Sequence, residues 1–194
     1  MLNISNFEEF NLIVKNCQKC NLAKTRTNVV PGEGNYQAKI LFIGEGPGKN
    51  EDLQGRPFVG AAGKLLDELI ASIGLQRKDV YIANVVKCRP PNNRDPLPEE
   101  IQSCWPYLEN QISLIKPELI VTLGRHSMAR FYPQGRISVD HGRALRRLIP
   151  PFGKIVFFPC YHPAAALYNG SLRETLFKDF KKIPKVLEII EKQK

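Results

Sequence analysis

The sequence predicts an α/β fold in which a parallel sheet of four strands is covered by helices on both faces. Four short, near-continuous apolar runs stand at residues 39–43, 80–85, 119–123 and 155–160, and strands buried on both faces read this way rather than as an alternation. Stripes with helical spacing separate them. The chain leaves the runs through GEGPG, NVVKCRPPNN, GRHS and CYHPAA. In open α/β sheets ligands bind beyond the carboxyl ends of the strands, so the chemistry is expected in these four segments.

The elements follow in order. Phe7, Phe10 and Val14 have the spacing of a short amphipathic helix. The first strand runs into GEGPGKNED at 44–52, a glycine-rich turn of the kind that cradles phosphates. Neither phosphate template fits. The dinucleotide fingerprint requires glycine where Lys49 stands, and the Walker loop is one residue short, with Asn50 in place of the magnesium-binding hydroxyl. Glu45, Glu51 and Asp52 would also repel a polyphosphate from the following helix start. Leu65, Leu66, Leu69, Ile70 and Ile73 form one helical stripe, which stops at Gly74. A second stripe, Ile101, Trp105, Leu108, Ile112 and Ile115, opens at Pro98 with Glu99 and Glu100 behind it. Ser171-x-x-Glu174 reads as a capping box for the last helix, which Pro184 interrupts. Residues 25–36, 89–97 and 134–151 read as irregular.

At 194 residues the chain is expected to form one domain, residues 1–194, with a full core. No apolar run reaches membrane-span length and the start lacks signal-peptide features, so the expected location is cytoplasmic. A net charge of +9 and a pI near 9.4 favour a polyanionic partner. Six arginines (Arg125, Arg130, Arg136, Arg143, Arg146, Arg147) stand against the single acid Asp140 within residues 125–147, with Lys178, Lys181, Lys182 and Lys185 further on. Arginine forks suit phosphate oxygens, which points to nucleic acid.

Cys17 and Cys20 form a C-x-x-C, Cys88 and Cys104 are widely separated, and Cys160 lies within a strand. An intracellular chain argues against structural disulfides. The first four cysteines read as thiolate ligands of one metal centre. The spacing leans toward iron–sulfur over zinc, whose cysteines usually come in two tight pairs, without deciding between them. Cys160 reads as a small buried hydrophobe.

GEGPGKNED, GRPFVGAAGKLL, NVVKCRPPNNRDPLPEE, HPAA and the four cysteines together resemble, in order from Cys17 to Ala165, the family-4 uracil-DNA glycosylases of thermophiles. The resemblance implies a three-layer α/β/α sandwich around a four-stranded parallel sheet. It also implies a structural [4Fe–4S] cluster held by Cys17, Cys20, Cys88 and Cys104. The implied activity is excision of uracil from single- or double-stranded DNA, leaving an abasic site for base excision repair. A flipped uracil would lie against the Gly44–Gly48 turn, where missing side chains let a flat base approach the backbone, with Gly44, Glu45 and Gly46 among its binding residues. Phe58 would stack on it, Asn84 would read its N3–H and O4 edge, and Glu51 would crowd C5 against thymine. His162 would donate a hydrogen bond to O2 as charge gathers there. Family-1 enzymes place a water-orienting aspartate where this chain has Gly46, so the adjacent Glu45 is the candidate for that task. Leu167 and Tyr168, following the histidine, are the expected wedges into duplex DNA, and Arg143, Arg146 and Arg147 the expected phosphate contacts. His126 and His141 match no such motif and read as surface or structural residues. Neither terminus carries a visible sliding-clamp docking peptide, and a monomer is the default expectation.

Overall fold

A computed structural model describes residues 4–193. Its helices are α1 (Phe7–Lys15), α2 (Lys49–Gln54), α3 (Ala61–Ala71), α4 (Pro98–Ile115), α5 (Arg125–Phe131), α6 (Ile137–Asp140), α7 (Pro163–Tyr168), α8 (Gly170–Phe180) and α9 (Ile183–Glu191). Its strands are β1 (Glu33–Gly34), β2 (Ile40–Gly44), β3 (Tyr81–Asn84), β4 (Leu119–Leu123), β5 (Leu145–Ile149) and β6 (Gly153–Cys160). The sheet order is β1-β3-β2-β4-β6-β5.

The four expected strands form the parallel centre, β3-β2-β4-β6. The sheet as a whole corrects the expectation, because it is six-stranded and mixed. β1 pairs antiparallel with β3 through Glu33↔Ile82 and Gly34↔Tyr81. β5 pairs antiparallel with β6, from Leu145↔Phe157 to Ile149↔Gly153. Both strands were hidden in stretches read as irregular, for physical reasons. β1 is too short to show periodicity. β5 is an edge strand whose Arg146 and Arg147 are exposed, and edge strands favour such charges because they discourage pairing with another chain.

The sheet separates two apolar layers. Leu41 and Ile43 of β2 face one side and Ile40 and Phe42 the other, as the period of two requires. The first side is covered by α1 through Phe10 and Val14, by α4 through Leu108 and Ile112, and by Phe131 of α5. The second is covered by α3 through Leu66 and Leu69, and by α8 and α9 through Leu176, Phe180 and Ile183. This is the expected three-layer α/β/α arrangement. Among the described residues no helix is long and apolar enough to cross a membrane.

Local signals held except at the last capping site. Asn6 caps α1 by accepting from the Glu9 amide at 2.9 Å, and Pro98 opens α4. At α8 the cap is Asn169 and not Ser171: its Oδ1 accepts from the Ser171 amide at 3.1 Å and the Ser171 hydroxyl at 2.7 Å. The helix therefore starts two residues earlier, at Gly170, and Ser171 becomes a donor to the cap. Pro184 stands in the first turn of α9, where its missing N–H costs nothing.

Phe180 is fully buried and stacks on Phe42 across the second layer, with centroids 5.7 Å apart. Phe180→Ala is expected to lower unfolding free energy by about 3–5 kcal/mol, read from the denaturant midpoint.

Candidate active site

Beyond the carboxyl ends of β2, β3 and β6 opens a cavity of about 350 Å³. Every pocket residue expected from the sequence, apart from Gly44, lines it: Glu45, Gly46, Glu51, Phe58, Asn84 and His162. Gly44 is the floor beneath them. A Cβ there would collide with Asn84 Oδ1 and would lie 2.7 Å from Phe58 Cζ. Glycine thus lets two side chains from different elements meet over the end of β2. The strand pairing carries on into the pocket, since the Val85 and Val86 amides donate to the Gly44 and Glu45 carbonyls at 3.0 Å.

Asn84 is the last residue of β3 and is 2% exposed. Its carboxamide makes no hydrogen bond to the described residues, while its backbone carbonyl accepts from Lys87 Nζ at 2.7 Å. Leaving such a group unpaired costs roughly 1–3 kcal/mol, so a ligand edge is its natural partner.

Phe58 adopts φ 52°, a left-handed conformation that a bulky residue reaches only under constraint. The constraints are visible. Glu51 Oε1 accepts from the Val59 and Gly60 amides at 2.9 Å, just before α3. Arg77 Nη1 donates to the Phe58 carbonyl at 3.2 Å and to Asp67 at 3.0 Å, and Arg77 Nη2 to the Pro57 carbonyl. A side chain at Gly63 would strike the Phe58 carbonyl. The ring so held lies 5.6 Å from the His162 ring at 26°. Glu51 therefore positions the aromatic wall as well as lining the cavity. Arg77 escaped sequence reasoning because nothing near it in the chain marks a contact with residue 58.

His162 caps α7, its Nδ1 accepting from the Ala164 amide at 3.1 Å. That bond leaves the proton on Nε2 in the neutral ring. Burial pushes its pKa down to about 4, against the opposing pull of Glu51. At neutral pH it is an uncharged donor. Gly124, at φ 93°, makes room for it: a Cβ there would lie 3.1 Å from His162 Cβ.

His126, which matched no motif, stands at the cavity mouth. Its Nε2 lies 3.2 Å from Asp95 Oδ2 and 3.7 Å from Glu45 Oε2. Burial raises the Glu45 pKa above the usual carboxylate value; His126 opposes this, Asp95 adds to it, and Arg125 opposes it. His141 is structural, with Nδ1 2.6 Å from the buried Asp179, which also holds Lys182 at 2.8 Å. Asn93, Arg94 and Asp95 add a wall from the NVVKCRPPNNRDPLPEE segment, to which sequence reading gave no individual site roles beyond Asn84 and Cys88. Arg94 is pinned to the buried Glu100 by two bonds of 2.7 and 2.9 Å.

A second cavity, under the first helical layer, gathers Cys17, Cys20, Cys88 and Cys104 with Leu22 and Tyr107. Three N–H groups point at its sulfurs: Arg26 Nη1 at 3.2 Å from Cys88, the Lys87 amide at 3.2 Å from Cys104, and the Lys19 amide at 3.5 Å from Cys17. Arg26 also donates to the Cys17 carbonyl at 2.7 Å, bridging two of the segments. Burial pushes the Cys104 thiol up to about 12 and raises Cys88 as well. Among the described residues, no three of these sulfurs lie within 4.8 Å of one another. Lys87 is 1% exposed, and burial pushes it down to about 8, against Cys104 and Cys88, which favour its charge. Cys160 is fully buried in the opposite core, apart from these four.

The sequence profile of the Uracil DNA glycosylase superfamily matches residues 31–188. The type-4 uracil-DNA glycosylase of Saccharolobus solfataricus is 52% identical, over 90% of this chain and 83% of that protein. Those of Archaeoglobus fulgidus and Thermotoga maritima are 51% and 47% identical, over 88% and 87% of this chain and 87% and 88% of theirs. The chain belongs to the type-4 uracil-DNA glycosylases.

Around the pocket of this family member, Leu167 and Tyr168 end α7 directly after His162, and Tyr168 is 92% exposed. The three expected phosphate contacts are not brought together. Arg143 lies beside the pocket end of β6, next to Gly142, whose amide donates to the Pro159 carbonyl. Arg147 packs over the Tyr132 ring at 4.9 Å, and Arg146 donates to Gln193, farther along the edge strand.

Two outcomes follow. Gly44→Ala should lower kcat/KM on a uracil oligonucleotide about 100-fold, since misplacement of this order disrupts the reacting geometry. Nitrogen NMR of His162 should show a neutral ring protonated on Nε2 from pH 6 to 8, titrating only near pH 4.

Proposed function

We propose that the protein flips uracil out of DNA into the cavity at the ends of β2, β3 and β6 and hydrolyses its N-glycosidic bond, leaving an abasic site. One observation carries the reading. A buried, unpartnered carboxamide (Asn84), a constrained aromatic ring (Phe58) and a neutral imidazole donor (His162) converge on one cavity. A nucleic-acid-binding module without catalysis has no use for that trio.

The side-chain roles follow from donor chemistry. Phe58 covers one face of the base. Asn84 Oδ1 accepts from N3–H while its NH2 donates to O4; cytosine presents the reverse pattern and would leave both groups unpaired. Glu51 stands where a C5 methyl would intrude, and Gly44 and Gly46 let the base approach the backbone. As the C1′–N1 bond breaks, the bonding pair leaves with uracil, and the His162 Nε2–H stabilises the charge on O2. The sugar passes through an oxocarbenium-like state. Water adds to C1′ and gives up a proton. Glu45, ionised, orients that water and accepts the proton; N1 of the departed uracil is protonated from solvent. Leu167 and Tyr168 fill the space the base vacates, and Arg143 meets a nearby phosphate. Arg146 and Arg147 would contact DNA only along the outer edge of β5. The chain acts as one domain and as a monomer on DNA inside the cell, its substrate being uracil in single- or double-stranded DNA.

The donor set lining the second cavity supports a [4Fe–4S] cluster held by Cys17, Cys20, Cys88 and Cys104. A single tetrahedral zinc needs sulfurs about 3.8 Å apart, given Zn–S bonds near 2.3 Å, and N–H donors to sulfur suit a cluster's thiolates. Burial raises the Cys88 and Cys104 thiol pKa values, so these two sulfurs stay protonated unless a cationic centre takes the protons' place. When bound, such a cluster supplies a cross-link between the chain after α1, the chain after β3 and α4.

An oligonucleotide with one uracil, incubated without nucleotide or added metal and then treated with alkali, should break only at the uracil. His162→Ala should slow this by about 100-fold or more, and Asn84→Asp should bring cytosine cleavage. No breakage by folded, iron-loaded protein would remove the assignment. The kcat/KM profile should fall on the acid side as Glu45 gains its proton, at a pH above the usual carboxylate value. Asp95→Asn removes a charge that raises this pKa and should move the limb to lower pH; His126→Ala should move it higher.

A further inference from the structure

Lys87 is a lysine buried to 1% exposure between the two cavities. Its ammonium donates to the Asn84 carbonyl at 2.7 Å and to Gln111 Oε1 at 2.5 Å. Both acceptors are neutral, and among the described residues no carboxylate pairs with it. Gln111 is itself fixed, its Nε2 donating to the Pro31 carbonyl at 2.8 Å and to the Tyr81 hydroxyl at 3.2 Å. A buried ammonium without a counter-charge costs several kcal/mol, whereas an apolar residue of the same shape would cost nothing. The negative charge nearest along the chain is that of the cysteine centre. Lys87 directly precedes Cys88, and its own amide donates to Cys104 Sγ at 3.2 Å. One residue therefore touches a sulfur of one cavity with its backbone and the last residue of β3 in the other with its side chain.

We propose that Lys87 is a positioning residue for the uracil reader Asn84, with the ligated Cys88 and Cys104 thiolates as its counter-charge, so that base recognition is coupled to the cysteine centre. This rests on the readings of Asn84 and of the four cysteines given above. The Asn84 carboxamide has no hydrogen bond to the described residues, so its aim depends on its backbone, and Lys87 holds that backbone by its carbonyl. The direction of the coupling follows from the charge. With the thiolates ligated, the ammonium is compensated and the carbonyl is held. With the centre lost, the ammonium is stranded and the end of β3 loosens.

The test uses iron-loaded protein and Lys87→Met, which keeps the length and apolar stem and removes the charge and donors. Free uracil as an inhibitor should bind about tenfold more weakly, one lost hydrogen-bonded constraint being of that order. Affinity for DNA carrying an abasic site should stay within about twofold. The midpoint potential of the cluster should move to more negative values, because a nearby positive charge that favoured the reduced form is gone. A merely structural lysine would lower stability and leave the ratio of uracil to abasic-DNA affinity unchanged, and a lysine that is not the counter-charge of the centre would leave the potential unmoved; either result overturns the proposal. Should Lys87→Met fail to fold or to hold iron, Gln111→Met decides. It keeps the ammonium but frees it from one anchor, and it should weaken uracil severalfold with the potential unmoved. Unchanged uracil affinity in that variant overturns the proposal as well. Wild-type protein that holds no iron or fails to bind uracil would instead overturn the underlying readings, an outcome separable from the other two.

Discussion

The missing side chain at Gly44 is the constraint on which the pocket depends. β2 ends there, in the middle of the parallel sheet, and the space that a Cβ would fill is taken by Asn84 from β3 and by the Phe58 ring from the α2–α3 connection. Both reach the same point, which the proposed edge reading by one and face covering by the other require. The remaining devices serve that meeting. Glu51 and Arg77 hold Phe58 in its left-handed conformation, and Gly63 lets its backbone lie against α3. Gly124 gives His162 a seat from the other side. Glycines appear where elements converge, which is their use in a tightly packed site.

Removal from water sets the charge of each group around that point. The same burial that keeps His162 neutral raises Glu45. A neutral imidazole is the form suited to stabilising a developing anion without first neutralising a charge of its own. A carboxylate of raised pKa is the form suited to taking a proton from water. His126 and Asp95 adjust Glu45 from opposite directions, so the acid and basic partners at the mouth act as a local control on a single group.

The two cavities lie on either side of the 84–88 segment. Asn84 faces one and Cys88 the other, with only Val85, Val86 and Lys87 between them. The cysteine side brings together α1's exit, the β3 exit and α4. Its N–H donors to sulfur come from Arg26, Lys87 and Lys19, three places in the chain that otherwise have little in common.

The layer order, the four parallel strands and most of the pocket were legible in the chain, because continuous apolar runs, helical stripes and glycine-rich exits are local patterns. Phe58, Asn84 and His162 were legible through the resemblance of GRPFVGAAGKLL, NVVKCRPPNNRDPLPEE and HPAA to a known family; Asn84 and His162 also stand at strand ends, whereas Phe58 lies between α2 and α3. The antiparallel edges were not, because β1 is two residues long and β5 carries arginines where a central strand would carry apolar residues. The cap at Asn169 was missed because Ser171 offered an equally good local pattern. By itself the sequence determined which residue types stand at which strand ends, and hence the chemistry available. The tertiary structure alone decided which distant groups share a space: Arg77 on the Phe58 carbonyl, His126 beside Glu45, Lys87 between the sulfurs and Asn84. Those pairings arise from the packing of separate elements around one sheet, and no spacing along the chain encodes them.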